Sequence, residues 1–456
     1  MSQTIKYYQF KGILLSEGWL TPGFVGVDEV GNIQYISDVR PESVAIEAVH
    51  GYALPGFQNA HSHAFQYAMA GMAEKHAAGS KDDFWSWREA MYHCALSLDP
   101  DQVEAVAAML YAEMLRKGYT HVAEFHYLHH DKNGQTYSNL AEMGERLVAA
   151  AKTAGIKITL IPVFYQKGGF GQEPQPRQRR FISSTVDEYF HLLDDSATIV
   201  ADNAHATLGF SVHSLRAVDA RDIVSTFEQG PKNIPFHLHA AEQLKEVSDC
   251  LAHLKQRPVE WLLNNLPVDD RFHIVHCTHM TDDETIELAK SGANAVLCPG
   301  TEGNLGDGIF NLTTFARHEG SWSIGTDSHI SLNPLEDLRW LDYAQRFTTH
   351  KRNTFDDGAS ILIQKTLLAG RKAMGTIPAN YFAIGNSFDA VVYNAKAPLL
   401  AQADINHLLP AILYTSDSGD TLGTLVQGKW IVKNQHHARA ERITSSFLQA
   451  VKRLAL

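Results

Sequence analysis

Residues 55–66, PGFQNAHSHAFQ, set His61 and His63 one residue apart directly behind a short apolar run. Side chains two positions apart on an extended chain project to the same side, so both imidazoles can reach one metal ion. The weight of that pair depends on what ends the other strands.

Outward from this stretch, between about residues 53 and 330, short apolar and β-branched runs alternate with longer helical patterns. That alternation is the mark of repeated βα units around a parallel sheet. The runs are YALPGF, YTHVAEFHY, IKITLIPVF, TLGFSVH, IPFHLHA, FHIVHC, NAVLCP and SWSIGTD, with segments such as DQVEAVAAMLYAEMLRKG between them reading as amphipathic helices ended by Gly. The eight runs predict an α/β fold, a (β/α)8 TIM-like barrel over residues 53–384, with functional groups on its C-terminal rim. Residues 1–52 and 385–456 read instead as short strands joined by Gly and Asn turns, pairing into one small β-sandwich domain. Segment 166–180, QKGGFGQEPQPRQRR, is a long loop after the third strand, either covering the rim or running through solvent.

The strand ends carry the chemistry. His61 and His63 close the first run, HLHAAE the fifth, His276 the sixth and Asp327 the eighth. Three neutral imidazoles and a carboxylate make a sound zinc or iron shell. His237 and His239 share a face, and one of them either orients the other or binds carbonyl groups. Glu242 lies just past the fifth strand, within reach of whatever the metal holds; the other reading is a helix N-terminal acid facing the dipole. Arg216 behind the fourth strand and Arg88 in FWSWREAMY supply planar donors suited to gripping carboxylates, and Tyr127 adds a hydroxyl at the end of the second strand. Taken singly, each reads as an ordinary surface or packing residue. His213 is a spare ligand, a core histidine or a substrate contact.

Composition narrows the partners. The chain has 456 residues, 45% of them hydrophobic and 20% charged, enough for a large core plus a smaller companion. A formal net charge of -12 without long acidic runs argues against nucleic acid and for a small-molecule partner. The start MSQTIKYYQFKG lacks a leader pattern and no run is apolar enough to span a membrane, so the expectation is a soluble, unexported protein with no membrane partner. Cys94, Cys250, Cys277 and Cys298 form no CxxC pair, which fits a reducing cytoplasm. The Gly-rich CPGTEGNLGDGIF lacks the GxxxxGK[ST] pattern of a phosphate cradle.

The stretches PGFQNAHSHAFQ, HLHAAEQ, VHCTH and GTDSH, in this order at these strand ends, resemble the amidohydrolase superfamily and its deaminase branch. SVHSLRAV, CPGTEGNLGDGIF, WSWREAMY and Gln66 are similar to the formimidoylglutamate deiminases within that branch. The resemblance spans nearly the whole chain. It implies one zinc per chain, with iron or manganese as alternatives, held by His61, His63, His239 and Asp327. His276 would polarise the reacting group, Glu242 would shuttle protons with help from Asp327, and Gln66, Arg88, Tyr127, His213 and Arg216 would clamp a dicarboxylate substrate. The implied reaction is hydrolysis of N-formimidoyl-L-glutamate to N-formyl-L-glutamate and ammonia, a step of histidine degradation, in a homodimer. Two-metal relatives carry a bridging Lys or Glu on the fourth strand; TLGFSVHSLR offers neither. The rival readings are an aminohydrolase for a nucleobase or nucleoside-like substrate, disfavoured by paired arginines, and a non-catalytic metal-stabilised scaffold, which would need neither Glu242 nor His276.

Overall fold

A computed structural model describes residues 4–74, 84–375 and 381–454. Eight parallel strands form the barrel: β1 Phe57–Ser62, β2 Tyr119–His126, β3 Lys157–Phe164, β4 Phe210–Ser214, β5 Phe236–Ala240, β6 Phe272–His276, β7 Asn294–Leu297 and β8 Ser321–Ile324. A short strand Ala206–Leu208 pairs with β3 just ahead of β4. The ring closes between its first and last strands, where Ser62 bridges Asp327 and the Thr326 and Asp327 amides each donate to the His61 carbonyl at 3.1 Å. Gly325 is required at this seam, because a Cβ there would lie 2.7 Å from the His61 Cβ.

Local sequence explains how each unit hands the chain to the next strand. Before the helix Pro100–Lys117, Asp99 and Gln102 form a reciprocal capping box and Pro100 occupies the first turn. Gly118 ends that helix in the left-handed region at φ 101°, and Tyr119 starts β2 immediately afterwards. Both faces of the strands are covered, so β5 and β6 are buried throughout.

The run YALPGF divides where the expectation had one barrel strand. Gly51–Pro55 pairs antiparallel with Ala390–Asn394 in an outer sheet, and the barrel strand begins only at Phe57. Gly56 supplies the break: its amide donates to Asp389 in the outer layer, while that of Phe57 donates to Gly118 at the mouth of β2. The flanks build two sheets. One has four N-terminal strands in the order Ile33–Ser37, Gly23–Val27, Lys6–Phe10, Ile46–Ala48. The other has seven strands and interleaves both chain ends. Tyr8 and Phe10 of the first sheet meet Phe388 at ring distances of 6.5 and 6.0 Å.

The C-terminal flank also holds helices that its turn-rich sequence did not announce: Pro398–Gln402, Leu408–Thr415 and Ala440–Val451. The last packs on Pro100–Lys117, burying Ile443 and accepting a hydrogen bond from Gln102 Nε2 to the Ala450 carbonyl at 3.1 Å. No helix among the described residues is long and apolar enough to cross a membrane.

Candidate metal and catalytic centre

His61, His63, His239 and Asp327 offer ligand atoms that all lie within 4.8 Å of one another, and all four residues are buried. The Nε2 of His61 is 3.1 Å from that of His63 and 3.0 Å from that of His239. Asp327 Oδ1 lies 3.3 Å from His63 and 3.6 Å from His61. The tautomers follow from the far side of the rings. His63 Nδ1 donates to the Phe125 carbonyl at 2.7 Å and His239 Nδ1 to the His213 carbonyl at 3.0 Å. Both Nε2 atoms therefore present lone pairs toward His61, whose one exchangeable proton can serve only one of them. A cation accepting all three lone pairs and the carboxylate satisfies the set, so the donor chemistry fits a resident metal.

The backbone is strained where these groups converge. His276, Cys277, Ala241, Asp327 and His329 are non-glycine residues at φ 72°, 55°, 55°, 47° and 65°. Left-handed conformations cost such residues of order 1–3 kcal/mol each and persist where surrounding contacts fix them. They stand at or just beyond the ends of β5, β6 and β8, strands that carry the site.

His276 Nε2 is 3.8 Å from both Glu242 Oε1 and Asp327 Oδ2, while its Nδ1 donates to Glu302 at 3.2 Å. Burial alone would depress this imidazolium, but the charge of Glu242, the bond to Glu302 and the charge of Asp327 outweigh it and raise the pKa to about 10. Glu242 is also buried, which favours its neutral form; the guanidinium of Arg216, then His276 and His239, reverse this and hold it below the usual carboxylate range. Arg216 Nη2 donates to Glu242 Oε2 at 2.8 Å. Glu246 fixes the turn by accepting from the Ala241 and Glu242 amides at 3.1 and 3.0 Å. Glu242 thus opens the helix Leu244–Leu254, yet its side chain faces the histidines rather than the helix end.

One cavity covers this centre. Its lining includes His63, His239, Glu242, His276 and Asp327 together with Gln66, Arg88, Tyr127, His213 and Arg216. His61 lies beneath, fully buried. Gln66 donates to the Tyr127 hydroxyl at 3.0 Å. His213 stands beside the donor cluster with its ring 4.8 Å from that of His239, and it is not among the converging ligands. The two arginines anticipated from sequence share the cavity despite lying 128 positions apart (216 less 88). His237 is elsewhere: its Nε2 donates to the Ala373 carbonyl at 3.1 Å, at the opposite end of the barrel.

The sequence reading missed Glu246, Glu302 and Tyr165. Tyr165 carried a usable signal, since it follows the last residue of β3 as Tyr127 follows the last residue of β2. Glu302 sat in the Gly-rich stretch CPGTEGNLGDGIF, weighed as a phosphate loop and as part of the resemblance but not for a carboxylate partner of His276. Loop 166–180 is anchored to the rim: Gln178 donates to the Tyr165 and Tyr92 hydroxyls, and the fully buried Arg180 donates to the Ala95 and Leu98 carbonyls.

The sequence profile of the Amidohydrolase family matches residues 52–431. A relative from Pseudomonas aeruginosa named formimidoylglutamate deiminase is 42% identical over 97% of this chain and 98% of its own length. A 5-methylthioadenosine/S-adenosylhomocysteine deaminase from Haloquadratum walsbyi is 23% identical over 91% of this chain and 87% of its own. A crystal structure described as an amidohydrolase from Brucella melitensis superposes with a TM-score of 0.93 at 38% identity, covering 99% of this chain and all of that one. An adenosine deaminase from Xanthomonas campestris has the same fold, with a TM-score of 0.81 at 20% identity and 98% coverage of both chains.

Proposed function

The chain belongs to the amidohydrolase family, and from that premise we propose that it is the hydrolase that converts N-formimidoyl-L-glutamate and water to N-formyl-L-glutamate and ammonia. One observation carries the reading: a cluster of three imidazoles and a carboxylate, an ionised buried glutamate and two arginines border a single cavity. The relative from Pseudomonas aeruginosa, similar along nearly its whole length, supports the same substrate.

His61, His63, His239 and Asp327 hold one divalent ion, and their nitrogen-rich set favours zinc, with iron or manganese accommodated by the same donors. When bound, such an ion lowers the pKa of water and so supplies a nucleophile at neutral pH. The chain's residues do the rest. Glu242, kept ionised by Arg216, takes a proton from the attacking water and returns it to the departing nitrogen, which leaves as ammonia. His276, pinned through Nδ1 by Glu302, directs its Nε2 at the group that gains electron density when the amidine carbon is attacked. Asp327 takes the second proton, from the hydroxyl of the tetrahedral adduct, as the C–N bond breaks and the formyl carbonyl forms. Gln66, Arg88, Tyr127, His213 and Arg216 hold the glutamate portion, the arginines matching its two carboxylates. A flat nucleobase would bring no carboxylate to match them.

The decisive measurement is ammonia release from N-formimidoyl-L-glutamate by protein whose metal content has been determined. Protein with one ion per chain that releases none would sink the assignment. Arg216→Met should raise KM and also lower kcat, because the same guanidinium keeps Glu242 ionised; unchanged kinetics would remove Arg216 from the clamp.

A further inference from the structure

Tyr165 is a polar group in the cavity wall that the reading above leaves unused. It stands one residue past β3, 2% exposed, with its ring 4.6 Å from His213, 6.3 Å from Tyr127 and 5.7 Å from Phe181. Its hydroxyl oxygen accepts from Arg88 Nη2 at 3.2 Å and from Gln178 Nε2 at 2.9 Å. A phenolic oxygen with both lone pairs engaged can act further only as a donor. Beside it, Arg216 lines the same cavity: its Nη2 donates to Glu242 and its Nη1 lies 3.7 Å from Glu246, while its buried Nε has no hydrogen-bond acceptor among the described residues. A buried donor without an acceptor is costly, so this corner favours a ligand that brings a further acceptor oxygen.

We propose that the Tyr165 hydroxyl is a specificity-determining donor to the substrate carboxylate farther from the amidine, oriented for that role by Arg88 and Gln178. The choice of carboxylate follows from ring contacts. Tyr127 and His213 touch the metal-binding imidazoles directly, 5.1 Å from His63 and 4.8 Å from His239. Tyr165 packs behind both of them, one side chain farther from the reacting carbon. Gln178 brings loop 166–180 into the arrangement: its Oε1 accepts from the Gln175 amide at 2.7 Å, which leaves its amide nitrogen facing the two tyrosines. Discrimination by chain length and charge then resides partly in a loop outside the barrel.

The inference rests on the substrate reading above, and the test separates the two. Tyr165→Phe keeps the ring packing and removes only the donor. With N-formimidoyl-L-glutamate its kcat/KM should fall about tenfold, carried by KM, because a hydrogen bond to a charged group is lost. Calorimetric binding of N-formyl-L-glutamate should weaken by the same factor, while N-formyl-L-2-aminobutanoate, which lacks the far carboxylate, should bind both proteins within about twofold. Equal binding of the diacid by both proteins, or equal loss for both ligands, overturns the role of Tyr165. Failure of the unaltered, metal-loaded protein to release ammonia overturns the substrate reading instead.

Discussion

Two layers of histidine occupy the same barrel and behave in opposite ways. At the C-terminal rim His63 and His239 bring their Nε2 atoms within 3.1 Å of that of His61, with Asp327, Glu242 and Glu302 around them. At the other end His237 and His273 are equally buried and His121 partly so, yet each turns to a neutral partner: the Ala373 carbonyl at 3.1 Å, Asn294 Nδ2 at 3.0 Å and Thr159 Oγ1 at 3.0 Å. The rings of His237 and His273 stack at 4.7 Å, side by side in the strand register. Burial pushes all three of the lower pKa values down, to about 3 for His121 and His237. The residue type is shared; carboxylates and the end of the strand at which each histidine sits make the difference. Strand β5 contains both kinds two residues apart, and β6 repeats the pattern with His273 below and His276 at the rim.

Exchanging the layers in mutagenesis sharpens that contrast most strongly. His63→Ala should remove bound metal and lower kcat/KM by about a thousandfold or more. His237→Phe, changed on the other layer, should retain the metal and stay within about twofold of the unaltered rate. Elemental analysis with steady-state kinetics on both variants checks this, and metal loss in both would erase the distinction. Next in size is Glu242→Gln, which leaves the ligands intact but removes the proton carrier. Its kcat should fall about 10²–10⁴-fold at full metal occupancy. A variant that kept its rate would leave Glu242 as a helix-end acid.

The barrel was legible because its βα alternation is periodic and because each strand is bounded by its own turn chemistry. The cluster was legible in outline because its members end strands, and strand ends of a barrel meet at one rim; which of them would hold a metal came only with the family resemblance. The rest needed coordinates. Nothing in YALPGF told the outer strand from the barrel strand, since an apolar run has no phase that separates them. Helix Ala440–Val451 gains its place by packing on Pro100–Lys117, a contact between segments more than 300 residues apart in the chain. His237 and His239 were indistinguishable by spacing, because alternation gives the face of a strand and not the depth within the barrel. Glu302 reaches His276 from the neighbouring βα unit, and no motif spacing encodes that bond.

The smallest expected effect comes from the lower layer, and it is one of stability. His237 has a folded-state pKa of about 3 against an ordinary value of 6.5, with burial as the main cause. Between those values the unfolded chain binds a proton that the folded chain refuses, so stability falls as pH drops below 6.5 and is fully present above it. His237→Phe abolishes this contribution. It also leaves the Ala373 carbonyl without its donor, a cost of about 1 kcal/mol at pH 7.5, and removes a buried Nδ1 that has no partner among the described residues. Thermal unfolding followed from pH 7.5 to 4.5 should show a slightly lower midpoint for the variant at the neutral end and a shallower decline toward acid. Because both proteins keep the rim intact, acid-driven metal loss affects them alike and cancels in the difference. Parallel curves would mean that His237 already exchanges its proton in the folded state, and the lower layer would then be more open than its burial indicates.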